Sequence, residues 1–329
     1  MKSGASAAIM AAAVVFACAV PVAAKEAEPV KVTSAGNLKG TQRVTIGQFT
    51  IGFLIERKDS TKAGGGLTGS GFGGRSTVRS TLAGYTPQEL QQIADAAYDD
   101  MVRQLAASGF EVMDRAALHA YPALARVSGE AAPKEMTTIT GRDDRAKVLF
   151  VSASQTQPLR LMAGDVAASG FGAMGIIMAG TQASGAFTNY AKDTGSRVVN
   201  VVYYLDFAKS DEYGGWFRNS SAVQVEGSLA MMPDQSKLTV IGPNYKSGAV
   251  ALAQPVAVGG DFFEKADAMS GGEKTSNAIG NVIGLLGGVG TNSSQKFTFT
   301  ARPGVYAQGA RQLVTEANAV LVGKLAVLR

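Results

Sequence analysis

The chain has 329 residues, a formal net charge of +5, 46% apolar residues and 17% charged residues. That is enough apolar sequence for a full hydrophobic core, and it excludes intrinsic disorder over most of the length. One histidine and one cysteine remove most metal and redox chemistry, while 40 glycines mark a glycine-rich architecture.

The N-terminus reads as a secretory signal over residues 1–24. Lys2 supplies a basic n-region, Ala7 to Val20 form an unbroken apolar run, and Pro21 ends it. Val22-Ala23-Ala24 then offers the small residues that signal peptidase needs, which places cleavage before Lys25. The run is shorter than the roughly 20 residues of a membrane-spanning helix. Val15-Phe16-Ala17-Cys18 loosely matches a lipobox, so lipidation of Cys18 is the alternative, although Phe16 and the position of Cys18 inside the apolar run fit it poorly. Cleavage after Ala24 leaves no cysteine and therefore no disulfide. Basic residues are scattered singly, with no polybasic stripe, so nucleic acid is not an expected partner.

Lys25 to Gln42 is a polar leader with little pattern. Val44 to Ile55 alternates and then turns apolar, as a long strand entering the core does. Residues 64–74 are glycine-rich and predict a loop. Thr86-Pro87-Gln88-Glu89 is a helix start with its cap, N1 proline and capping-box glutamate. Leu90, Ile93, Ala97, Met101 and Leu105 follow on one face, and Gly109 stops the helix. A short strand at Phe110 to Met113, a short helix from Arg115 to Tyr121 and a strand from Lys147 to Ser154 complete the first half.

Arg197 to Phe207 and Ser221 to Met232 predict a long antiparallel hairpin. Further strands are expected at Lys237 to Ile241 and Lys296 to Thr300. A helix over Val305 to Val327 carries Leu313, Ala317, Val320, Leu321 and Leu325 on one face. The fold class expected is α+β: a mixed sheet with helices packed on it in the first half, then the hairpin and C-terminal helix in the second. A single domain over 43–329 would carry glycine-rich insertions at 61–84, 163–190 and 270–293.

In the last of these, Gly280, Gly284 and Gly288 recur every fourth position, which on a helix lets another backbone approach closely. They are the residues assigned to self-association or membrane contact; a surface loop or an internal helix contact is the alternative.

Several motifs fail on context. Gly69 to Gly74 and Gly170 to Gly175 match G-x-G-x-x-G, but neither sits between a strand and a helix as dinucleotide binding requires. Met269-Ser270-Gly271-Gly272-Glu273 lacks a phosphate loop upstream. Ser293 and Lys296 have serine–lysine spacing but open a strand, where the lysine does not lie one helical turn on. His119 stands on a short helix as a structural residue. The acid pairs Asp99-Asp100, Asp143-Asp144 and Asp211-Glu212 are sequence neighbours, which does not place two acids across a cleft. No catalytic, metal or cofactor residue is assigned, and no cofactor is expected.

The run Leu105-Ala106-Ala107-Ser108-Gly109-Phe110-Glu111-Val112-Met113-Asp114-Arg115, after a strand and a capped helix, resembles the curli-type secretion-channel family and its periplasmic relatives over about residues 43–154. The resemblance implies a non-enzymatic envelope protein that oligomerises or docks on envelope components. In channel members it implies hairpins donated to an outer-membrane barrel. No functional residue is carried over. The expectation is therefore an exported envelope protein acting by binding or assembly, with envelope proteins or copies of itself as partners and with membrane contact. The alternatives are a cell-wall or polysaccharide hydrolase using acidic residues, and an oligomeric outer-membrane pore subunit.

Overall fold

The computed structural model describes residues 28–63, 74–139, 145–166, 171–213, 222–271, 273 and 293–329. The signal segment with Cys18, the glycines at 64–73, the pair Asp143-Asp144, and Gly280, Gly284 and Gly288 lie outside the described residues.

Two long strands form the spine, β2 (Arg43–Ala63) and β7 (Arg197–Tyr213). They run parallel, paired from Val44 opposite Arg197 to Phe53 opposite Leu205, with a one-residue slip between Ile46 and Gln48. A mid-sheet position buries both faces, which is why Val198, Val199, Val201, Val202 and Tyr203 are apolar and buried on either side of Asn200, itself buried. On the far side of β7 lie β9 (Lys237–Ile241), β10 (Ser247–Leu252) and, at the edge, β1 (Val30–Thr33). The other edge of β2 takes β4 (Glu111–Val112) and, further along, β6 (Arg145–Ser152), which pairs with β5 (Lys134–Ile139).

Beyond Phe53 and Leu205 the two spine strands part. β2 continues into an antiparallel arm with β3 (Gly74–Ala83), and β7 does so with β8 (Ala222–Met231). Each spine strand is irregular at that point: its register slips between Leu54 and Glu56 in β2 and between Asp206 and Ala208 in β7. Bulges bend a strand and raise its twist, so a pair at one level splits the sheet. β3 pairs in parallel with β13 (Ser293–Ala301), which pairs with β12 (Phe263–Asp267), while β8 pairs with β11 (Val256–Val258). The arms close on an aromatic cluster, with the Phe207 ring 5.6 Å from that of Phe299 and 6.4 Å from that of Phe263. Together the described strands form one mixed, thirteen-stranded sheet.

Helices cover both faces, which completes the α+β class. α1 (Pro87–Ala107) and α5 (Val305–Leu328) pack on one face. The Thr86 hydroxyl accepts the Glu89 amide at 3.1 Å, and Leu90, Ile93, Ala97, Met101 and Leu105 are buried. Asn318 of α5 ties the layers together: it accepts from the Tyr203 hydroxyl at 2.7 Å and donates to the Asp100 carboxylate at 2.8 Å. The other face takes α2 (Arg115–His119), α3 (Pro122–Ala125) and α4 (Phe171–Thr194), whose contacts centre on Leu118, Leu124, Phe187 and Tyr190.

Four elements correct the sequence reading. The supposed insertion at 163–190 is mostly helix, α4, and Gly180 explains part of its glycine content. An ideal Cβ there would lie 2.0 Å from the Leu161 carbonyl oxygen, so the helix reaches its seat only without a side chain. The supposed insertion at 61–84 is mostly strand, because 61–63 and 74–83 are the two sides of an arm. The patternless leader contributes β1, paired with β10. From 270–293, Ser293 belongs to β13.

Candidate functional site

The edge of β2 opposite β7 is paired in two separate stretches. β4 covers that edge at Arg43 and Val44, and β6 takes it up from Thr50. Residues of α1, α2 and the segments beside them enclose a cleft of about 950 Å3, lined by Tyr98, Asp99 and Arg103 of α1, by Val112 to Ala116, by His119, and by Ser154, Gln155 and Gln157. Arg115 bridges the gap from α2, donating to the Gly47 carbonyl at 3.3 Å. Phe49 is closed off by the segment after β6, its amide bonded to the Thr156 hydroxyl at 3.3 Å.

Behind this edge lies a buried polar layer. Gln48 stands opposite Asn200 in the β2–β7 register. Its amide donates to the Ser152 hydroxyl at 2.6 Å, and that hydroxyl lies 3.0 Å from the Thr156 hydroxyl. Arg160 is only 6% exposed and donates to the Val127 carbonyl at 3.3 Å. Burial pushes both Arg115 and Arg160 down from the usual guanidinium value, and for Arg115 the charge of Arg160 adds to the effect.

A second polar centre sits where the arms diverge. Arg57 of β2 pairs with Asp59 on its own strand and with Asp206 of β7 at 2.5 Å, and bonds the Ser210 hydroxyl at 3.1 Å and the Ala208 carbonyl. Burial pushes the Asp206 carboxyl up to about 6, against the pull of Arg57. This network borders a cavity of about 480 Å3 that is otherwise lined largely by Ala230, Met231, Met232, Pro233 and Pro255.

The structure separates the residues that sequence motifs had grouped. Asp99 faces the cleft and Asp100 faces Asn318, as the ~100° per residue of a helix requires of neighbours. The Asp114 carboxylate accepts the Ala116 amide at 2.9 Å as the cap of α2, and Asp99 accepts from Gln155 at 3.4 Å. His119 is exposed at the rim. Lys296 lies on β13 and pairs with Glu273, whose carboxyl the contact pulls down to about 2, while the Ser293 hydroxyl bonds that of Ser76 at 2.9 Å. Residues 171–175 of the second glycine motif open α4. No group of three or more His, Cys, Asp or Glu side chains that could hold a metal occurs among the described residues. The burial of Arg115 and Arg160 was missed; the only local signal, for Arg115, was the Asp114-Arg115 dipeptide.

Comparison of the chain with protein-family models, with curated proteins and with solved structures returned no match.

Proposed function

We propose that this chain is an exported, non-enzymatic protein of the cell envelope that acts by assembly, either with copies of itself or with other envelope components. The observation that supports the reading is directional. β2 and β7 are parallel, so both arms leave the body toward the same end of the sheet. β13 starts at that end too, with Ser293 beside Ser76. β2 has 21 residues and β7 has 17, several times the usual strand length of about 5–6. The sequences joining these strand ends, 64–73, 214–221 and 274–292, combine glycine with Leu67, Phe72, Trp216, Phe217, Ile279, Ile283, Leu285 and Leu286. Glycine with apolar and aromatic residues is a composition suited to contact with a partner or a membrane surface.

The pore-subunit alternative draws on the same parallel launch of two hairpins. Among the described residues no helix is long and apolar enough to cross a membrane, a finding that does not bear on crossing by strands.

Single cysteines test the reading cleanly, because the chain after residue 24 contains none. Lys62→Cys and Gln224→Cys put a thiol on each arm, and Lys324→Cys puts one on α5. Mild oxidation of intact cells is expected to give adducts above the monomer mass from the arm positions and none from α5. Monomer alone from both arm positions would overturn the proposal.

A further inference from the structure

Four cations stand side by side across the arm that β2 begins. Arg145 of β6 lies opposite Lys58 of β2, Lys58 lies opposite Arg79 of β3, and Arg79 lies opposite Lys296 of β13. Residues directly opposite one another point to the same face of a sheet, and neighbouring strands are about 4.8 Å apart. This face is the outer one. The alternate positions Asp59, Ser76, Val78, Ser80 and Ala146 are buried, whereas Arg79 and Arg145 are exposed and Lys58 and Lys296 are half-buried. Four positions nearer the tip, on the same face, Lys62 lies opposite Arg75.

The acids of this face do not balance the row. Glu56 is shared between Arg79 at 3.5 Å and Lys147 at 3.4 Å, and Glu273 holds Lys296. Lys58 and Arg145 are not among the ion-paired cations of the described residues. Asp143 and Asp144, next to Arg145 in the chain, lie outside the described residues. In sequence these cations are scattered singly, and only the strand register lines them up.

Like charges directly opposite one another destabilise a sheet. Lys58 has one on each side, so a neutral residue at 58 would relieve the fold. Cations gathered on one sheet face reach an anionic surface together, and each adds to the attraction.

The adjoining sequence selects the kind of surface. Residues 64–73, which join β2 to β3 directly after Lys62 and Ala63, have no charged residue and include Leu67 and Phe72. Apolar residues beyond a band of cations suit a bilayer, where the cations meet headgroup phosphates and the apolar residues meet the acyl boundary. A soluble polyanion offers those apolar residues nothing.

We propose that the outer face of this arm, centred on Lys58, Arg79, Arg145 and Lys296, docks on an anionic phospholipid surface. The proposal names a face and a lipid class, and it does not rest on the assembly reading. A monomer can dock in this way, and an assembling chain can lack it.

Co-sedimentation of the full chain with vesicles tests it, using phosphatidylcholine alone and an equimolar mixture of phosphatidylcholine and phosphatidylglycerol. The expected result is binding to the mixed vesicles about tenfold tighter or more, falling as salt is raised. Lys58→Gln combined with Arg145→Gln is expected to weaken that binding by about fivefold for each cation removed. Lys39→Gln combined with Lys246→Gln removes the same charge at exposed positions near β10 and should leave binding nearly unchanged. All variants keep the same N-terminus, so the apolar signal segment contributes equally to each. Lys58→Gln alone should unfold no earlier than wild type, which separates loss of docking from loss of fold. Equal binding to the two kinds of vesicle, or an equal loss in the two double variants, would overturn the proposal. Retention on heparin with no binding to mixed vesicles would assign the face to a soluble polyanion and overturn it too.

Discussion

Arg57 on β2 and Asp206 on β7 form an ion pair at 2.5 Å across the point where the two spine strands part. Their side chains are only 15% and 11% exposed, so the contact is an interior one, and Asp59, Ser210 and the Ala208 carbonyl also hold the cation. It ties the roots of the two arms together at the level of the bulges in both strands.

Removing the cation leaves two carboxylates in that interior. Arg57→Met is expected to cost about 3 kcal/mol of folding stability at pH 7.5, the lower end of what breaking a buried pair from one side does. Urea denaturation measures it. A cost below about 1 kcal/mol would show that the arms are not held at this point.

The same site sets a pH dependence. With its carboxyl pushed up to about 6, Asp206 favours the protonated form in the folded state. A raised pKa contributes stability that is complete below the unfolded value near 4 and is lost as pH rises through 6. Between those limits wild type is expected to lose about 3 kcal/mol from this group. Asp206→Asn removes the titration, so the difference between the two proteins should change over that window and be flat above pH 7. Parallel stability curves across pH 4–7 would contradict the assignment.

α4 offers an internal contrast among its glycines. Gly180→Ala puts a methyl group 2.0 Å from the Leu161 carbonyl oxygen and is expected to lower stability by about 1–3 kcal/mol. Nothing lies within 4 Å of a Cβ at Gly175 or Gly185. Alanine there should raise stability by up to about 1 kcal/mol, through helix propensity alone. Thermal unfolding of the three single variants reads this out, and a common sign for all three would contradict the seat described for α4.

The Asn318 junction should be intolerant of both charge and truncation. Asn318→Asp sets a second carboxylate beside Asp100, 2.8 Å from the present amide nitrogen, and Asn318→Ala leaves the buried Tyr203 hydroxyl without its acceptor. Each is expected to cost about 2 kcal/mol, with the aspartate variant recovering in acid. Chemical denaturation at pH 5 and pH 7.5 separates the two effects.

Elements with a strong local pattern were legible from the residues. The cap, proline and glutamate at Thr86 to Glu89 fixed the start of α1, and the three-and-four spacing of its apolar residues picked out its buried face. The neighbouring of β7 and β8 in a hairpin followed from two long β-rich runs, but its pairing runs from Leu205 to Tyr213, while most of the run Arg197 to Phe207 pairs with β2 and β9. α4 was hidden because Gly175, Gly180 and Gly185 lower helix propensity and blur the apolar period; only the backbone of Leu161, brought there by tertiary packing, accounts for Gly180. β5 was missed because KEMTTI, at an edge, shows no alternation of polar and apolar residues, and only Thr138 is buried. The division of the sheet depends on single-residue slips near Ile55 and Phe207, which leave no compositional trace. Arg160, inside Gln157-Pro158-Leu159-Arg160-Leu161-Met162, has the local setting of a surface arginine, and only the fold buries it.

The assembly account is tested most directly by fractionating producing cells and determining the mature N-terminus and native mass on the same material. It predicts an envelope-associated chain beginning at Lys25, with a native mass above that of one mature copy. A lipidated Cys18 in detergent-dependent rings would select the pore-subunit form of the same account. A full-length chain beginning at Met1, soluble in the cytoplasm and monomeric, would contradict it.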